Sequence, residues 1–183
     1  MILTRNRRTL IASIGIALGV VLLAAACDLG ADTPNPPVTI SATNTNGVAP
    51  GTVVFVGVDA QSPPNATPSS VFGVEVRLCK ANVPILNSAD FAPTQGGNCI
   101  AHPLSAGTDT VTSVGIAPPY KNALLTFKLG AGTDHYTMGD GTAVTITCNK
   151  ATPCQLVAKV QVPASAAIPS GQVYKHFQVV YSS

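Results

Sequence analysis

The chain has 183 residues, 46% of them hydrophobic and 10% charged, with a formal net charge of +2. The length suits one domain, and so apolar a composition excludes a disordered polyelectrolyte. Among Val, Thr and Ala are spread 16 Gly and 15 Pro, a mix that interrupts helices and favours many short strands; with aromatics at 5% and no Trp, the core has to come from Val, Leu, Ile and Ala.

The chain opens as an export signal. Arg5, Arg7 and Arg8 form a basic start, and residues 10–26 carry no charge, the pattern of a secretory signal peptide over 1–26. Ala24 and Ala26 satisfy the small-x-small rule of an ordinary signal peptidase. Leu23-Ala24-Ala25-Ala26-Cys27 also resembles the lipobox of bacterial lipoproteins, with Ala24 where a lipobox favours Leu. Both cleavages leave Cys27 as the first residue and differ in whether it receives lipid, such as palmitate. An uncleaved anchor helix is a third reading, its apolar run falling just short of the roughly 18–20 residues that span a bilayer. Each reading puts the rest outside the cytoplasmic membrane, either as a lipoprotein on its outer face or as a secreted protein. Losing residues 1–26 removes three of the ten basic residues and none of the eight acidic ones, so seven face eight and the net charge becomes −1. Arg77 is then the single arginine, and no basic stripe exists to follow a phosphate backbone, so no direct nucleic-acid binding is expected on charge grounds.

Residues 27–37 read as the anchor Cys27 followed by a proline-rich tether, Asp28 to Pro37, too polar to pack. Residues 38–183 form one domain. Its pattern has period two, with turn residues between the runs, and predicts strands over 38–42, 52–58, 71–79, 110–116, 123–129, 142–148, 155–162 and 173–181. Val74, Val76 and Leu78 share one face against Glu75 and Arg77; Leu156, Ala158, Val160 and Val162 alternate with Val157, Lys159 and Gln161; Val173, Lys175, Phe177, Val179 and Tyr181 lie opposite Tyr174, His176 and Gln178. Asn46-Gly47 and Pro50-Gly51 read as turns, 61–70 as a Pro/Ser loop, and no helical stripe follows residue 37. The fold class is all-β, an immunoglobulin-like antiparallel sandwich of about seven to eight strands.

Of five cysteines, Cys27 belongs to the signal boundary; the other four lie in an oxidising compartment, where disulfides persist. Three connectivities are possible, and local spacing favours Cys79 with Cys99 and Cys148 with Cys154. The paired C-x-x-C knuckles of a zinc site are absent, and no metal or cofactor is expected. His102, His135 and His176 are too far apart in sequence for a helical metal motif and read as surface or strand-face histidines. No serine occupies a nucleophile elbow. Asp109, Asp134 and Asp140 have Gly/Thr neighbours and read as turn-forming aspartates rather than paired catalytic carboxylates. Asn65-Ala66-Thr67 has the form of a glycosylation acceptor and reads as a loop. The chain is not expected to be an enzyme.

Asp140-Gly141-Thr142 leading into Val144-Thr145-Ile146-Thr147-Cys148, five residues, then Cys154-Gln155-Leu156 resembles the neocarzinostatin family, the apoproteins of enediyne chromoprotein antibiotics. Two further stretches are similar in order: Val38-Thr39-Ile40-Ser41 with Gly51-Thr52-Val53-Val54-Phe55-Val56, and Val76 to Cys79 with Ala89-Asp90-Phe91. The resemblance implies a sandwich with a side hairpin and an apolar cleft that holds a labile aromatic ligand without chemistry. It implies Phe91 at the cleft floor beside the Cys79 disulfide, Gln155 as a polar cleft residue, and Tyr136 as the nearest candidate for a cleft aromatic. Ala81 stands where the family has Trp, and Cys99 follows Ala-Asp-Phe where the family's second cysteine precedes it. The family is sometimes labelled DNA-binding because its released chromophore damages DNA. The expected function is an exported, lipid-anchored carrier of a small apolar or aromatic ligand. The alternative is a structural or protein-interaction domain of the cell envelope.

Overall fold

A computed structural model describes residues 38–60, 73–107, 112–114, 122–162, 164 and 168–182. The expected signal peptide, Cys27, the expected tether, Asn65-Ala66-Thr67 and Asp109 lie outside the described residues.

The described chain is almost entirely strand: β1 (Val38–Ala42), β2 (Asn46–Val48), β3 (Val53–Ala60), β4 (Gly73–Lys80), β5 (Thr112–Val114), β6 (Asn122–Lys128), β7 (Gly132–Thr137), β8 (Ala143–Cys148), β9 (Cys154–Gln161) and β10 (Gln172–Tyr181), with one short helix, α1 (Ser88–Phe91). The all-β expectation holds. The strand number does not, since the described residues hold ten. The additional strands are β2, three residues that begin with the Asn46-Gly47 turn signal, and β7, whose Gly-Thr-Asp-His-Tyr-Thr lacks an apolar alternation. Each is a strand through its partner: β2 runs parallel to the end of β10, and β7 pairs antiparallel with β8 from Gly132↔Cys148 to Thr137↔Ala143.

Three sheets result, in the orders β1-β3-β6, β2-β10-β9-β4-β5 and β7-β8. One core lies between the first two. Val54, Val56 and Val58 of β3 and Leu125 and Phe127 of β6 are buried in the same cluster as Val74, Val76 and Leu78 of β4 and Leu156, Ala158 and Val160 of β9. Successive side chains of a strand point to opposite faces, so every second residue of these runs reaches that core. The β7-β8 ribbon adds Val144 and Ile146 to it, and Tyr181 of β10 ties in Gly130, its hydroxyl donating to the Gly130 carbonyl at 2.8 Å.

The five-stranded sheet is covered on part of its other face too, where Cys79, Gln155 and Val157 are buried. Register sets three rungs there: Glu75, Lys159 and Tyr174; Arg77, Val157 and His176; Cys79, Gln155 and Gln178. The segment between Cys79 and Cys99 folds over these rungs, so β9 is buried at Gln155, Leu156, Val157 and Ala158 without a break. This explains why an apolar Val157 stands on what reads as the solvent side of that strand.

Candidate functional site

The covering loop is anchored at both ends. Cys79 and Cys99 form a disulfide across a sequence separation of 20 and pair as an antiparallel bridge, flanked by Lys80 N–H to Asn98 O at 2.9 Å and Ile100 N–H to Leu78 O at 2.9 Å. Within the loop, Asn87 caps α1: its side-chain oxygen accepts from Asp90 N–H at 2.9 Å, while the Asp90 carboxylate accepts from Leu86 N–H at 3.2 Å. The Asn87 cap, with Asp90 tied back to the backbone of the residue before it and to the Asn87 amide, starts the helix and fixes its direction. Phe91 at its end is thereby driven into the outer face of the sheet, 2% exposed, in a second core cluster with Cys79, Ile85, Cys99 and Val157.

Phe91 is enclosed from several sides. The Tyr174 ring meets it edge-on with centroids 6.1 Å apart, Arg77 Cζ stands 5.3 Å from its centroid and Lys159 Nζ 5.6 Å. Cations over a ring face are attracted by its quadrupole. Burial lowers the Arg77 pKa, partly offset by the charge of Glu75. Gln155, 7% exposed, donates from Nε2 to the carbonyls of Lys80 at 3.0 Å and Val83 at 2.6 Å. His176 Nε2 accepts from Ile85 N–H at 3.3 Å.

From the ribbon side, the Tyr136 hydroxyl donates to Cys99 O at 2.7 Å; its pKa is pushed up to about 12, chiefly by burial and then by the Asp134 charge. Asp134 is 5% exposed and accepts from Ala101 N–H at 2.6 Å and His102 N–H at 3.0 Å, with His102 Nδ1 at 2.9 Å from its other oxygen. Burial opposes ionisation of this carboxyl, but the His102 side chain and the two backbone donors outweigh it and hold its pKa below the ordinary value. Asp134 therefore differs from its reading as a turn residue: it is a buried strand residue that staples residues 101–102 to the ribbon. Asp140 does form a turn, accepting from Thr142 N–H at 2.9 Å.

Phe91, Gln155 and Tyr136, the residues that the resemblance places in a ligand cleft, are thus brought together on the loop that Cys79 and Cys99 close. The Phe91 ring is packed, and the Gln155 amide and Tyr136 hydroxyl are bonded to backbone carbonyls. None of the three lines the open cleft found beside them. That cleft, of about 510 Å³, is walled by Lys80, Ala81 and Asn82 after β4, by Thr145, Ile146 and Thr147 of β8, and by Ala151, Thr152 and Pro153. Such a volume is in the range of small-molecule sites.

Each wall is braced. Gln155 holds the Lys80 carbonyl. The Cys148–Cys154 disulfide closes the third wall, inside which Asn149 accepts from Thr152 N–H through its side chain at 2.8 Å and donates from its own N–H to Thr152 O at 2.9 Å. On β8, Thr145 Oγ1 meets His135 Nδ1 at 3.0 Å and Thr147 Oγ1 meets Thr133 Oγ1 at 2.9 Å. The turn needs Asn82 at φ 59°, a left-handed conformation that Asn tolerates better than most residues. Sequence reading passed over these lining residues. The available signal was the alternation Thr145-Ile146-Thr147 running into a short disulfide-closed loop. Among the described residues, no three His, Cys, Asp or Glu side chains gather to hold a metal ion.

The chain matches no protein-family model and no curated protein. Among solved structures, macromomycin is similar at 18% identity and a TM-score of 0.43, over 79% of this chain and 98% of that one.

Proposed function

We propose that this protein holds a small molecule in the cleft between the Lys80–Asn82 turn, β8 and the disulfide-closed 149–153 loop, and that it does so without a chemical reaction. The observation that carries this reading is the bracing of every wall, by two disulfides and by the buried amide of Gln155. A cleft ordered before its ligand arrives loses little conformational entropy on binding. In this scheme Phe91, Gln155 and Tyr136 act behind the wall, keeping it in place. The resemblance to the neocarzinostatin family points to the same kind of activity, a non-catalytic carrier. Export through residues 1–26, with lipid on Cys27, belongs to the same proposal and would keep the cleft at the cell surface.

The test is a screen of the folded protein by amide shifts against a mixed set of aromatic natural products and polar metabolites. Shifts should cluster on 80–82, 145–147 and 151–152, and Ala81→Trp, which fills the cleft, should abolish them. A set that produces no shifts, or shifts elsewhere that survive Ala81→Trp, overturns the reading.

One observation favours the alternative of an interaction domain. Val53, Phe55 and Leu124 are exposed at 38%, 41% and 70% on the outer face of the β1-β3-β6 sheet, and Leu124 lies across from Gly57. Clustered apolar side chains on a sheet face mark partner surfaces. Recovery of an envelope protein on the wild type, lost with Phe55→Ser and Leu124→Ser together, would support that role.

A further inference from the structure

Resting on that reading of the cleft, we infer that its ligand is a small hydroxylated anion of the sugar-acid or sugar-phosphate type. The lining contains three threonines, an asparagine and a lysine, and no aromatic ring. An aromatic ligand would find only Ala81, Ala151 and Pro153 as apolar contacts, since the Ile146 side chain is turned into the core, and no ring to stack on.

The hydroxyls are placed to bind rather than merely to be exposed. Thr147 is paired with Thr133 and Thr145 with His135 across the ribbon. A hydroxyl has one proton and two lone pairs, so a single cross-strand bond orients each group and leaves it further capacity toward the cleft. Vicinal hydroxyls of a sugar are donors and acceptors at once and match such groups. The Asn82 amide adds both a donor and an acceptor on the opposite wall.

The charge of the site is one-sided. Lys80 lines it, no Asp or Glu does, and among the described residues the ion pairs are His102 with Asp134 and Lys159 with Glu75, leaving Lys80 out. An ammonium beside a row of hydroxyls, with no carboxylate to neutralise it, favours an anionic group on the ligand. Charge-assisted hydrogen bonds are about twice as strong as neutral ones. Carboxylate and phosphate share this chemistry and are separated by the probes below.

The experiment titrates the full folded protein with glucuronate, glucose 6-phosphate, glucose and 2-naphthol, following backbone amides. Both anions should shift the amides of 80–82, 145–147 and 151–152, with glucose weaker by about tenfold, the size of one charge-assisted bond. The tighter of the two anions identifies the charged group. Lys80→Gln should bring the anions down to the level of glucose, and because Gln155 grips the Lys80 backbone carbonyl, not its side chain, the wall stays in place. Thr147→Val should weaken all three sugars alike. If 2-naphthol shifts these amides and no sugar does, the ligand class is overturned while the cleft reading stands. If none of the four probes shifts them, this inference falls, and the broader screen above then decides the cleft reading. Equal affinity of glucuronate, glucose 6-phosphate and glucose, or no change with Lys80→Gln, overturns the anionic half.

Discussion

At the scale of single residues, two buried polar side chains do work that only their chemistry allows. Gln155 donates two hydrogen bonds to carbonyls of the covering loop from a place almost closed to water. Gln155→Ala should cost about 1–3 kcal/mol, the penalty of leaving buried acceptors unpaired, measured by urea denaturation. Gln155→Glu is the sharper test. Its carboxylate cannot donate, so at pH 7 it should be at least as destabilising as alanine. As the pH falls the carboxyl gains a proton it can offer to one carbonyl, and the gap to wild type should narrow. A gap that stays constant with pH would show that the amide is not the brace. Asp134 runs the other way. Its folded pKa is below the ordinary value because the His102 side chain and the Ala101 and His102 backbone donors outweigh its burial. Its contribution to stability is therefore complete above the unfolded carboxyl value, about 3.9, and fades as pH falls below that toward and through the lower folded value. Asp134→Asn should be less stable than wild type at pH 6 and should flatten the wild-type decline in Tm between about pH 4 and pH 2.

At the scale of elements, the covering loop depends on the Cys79–Cys99 disulfide more than the cleft's third wall depends on Cys148–Cys154. Closing a chain loop restricts the unfolded state by an amount that grows with loop length, about 3 kcal/mol for the longer separation and about 2 for the shorter. The longer loop has only one short helix of its own, and its disulfide also fills the cluster around Phe91. Replacing Cys79 and Cys99 together by Ala should therefore lower Tm more than replacing Cys148 and Cys154 together; equal melts would mean that Phe91 and Gln155 order the loop without the covalent link. Both pairings were legible from cysteine spacing, and the main strands from their alternation, because one face of each meets a single core. β2 and β7 were not, since three residues and a polar run become strands only when a distant partner offers its backbone. The site divides the same way. Phe91, Gln155 and Tyr136 carry a sequence signal as residues, but the places proposed for them behind the wall follow from distant contacts, the packing of Phe91 on Tyr174 and hydrogen bonds 37 positions away from Tyr136 to Cys99 and 75 positions away from Gln155 to Lys80. The cleft joins 80–82 to 145–147 and 151–153, and no local pattern announces that meeting.

At the scale of the molecule, the two core clusters draw on residues from Val38 onward, and the outer face of the three-stranded sheet leaves Leu124 and Phe55 in water. Because the Leu124 side chain is mostly in water, Leu124→Ser should change the unfolding free energy by no more than about 0.5 kcal/mol while reducing self-association at high concentration, read by sedimentation. The same separation between core and surroundings bears on the proposed anchor. Cys27 precedes a proline-rich stretch that ends where β1 begins, so its modification and the folding of 38–183 are expected to be independent. One acyl chain gives marginal membrane residence, whereas two or more make attachment stable. Cys27→Ala should then move the protein from the membrane fraction into the medium with its melting temperature unchanged, and mass spectrometry of the wild type should find acyl groups on Cys27. Wild-type protein found in the medium with an unmodified Cys27 would leave an ordinary secreted protein, and a melting temperature lowered by Cys27→Ala would mean that the segment before Val38 takes part in the fold.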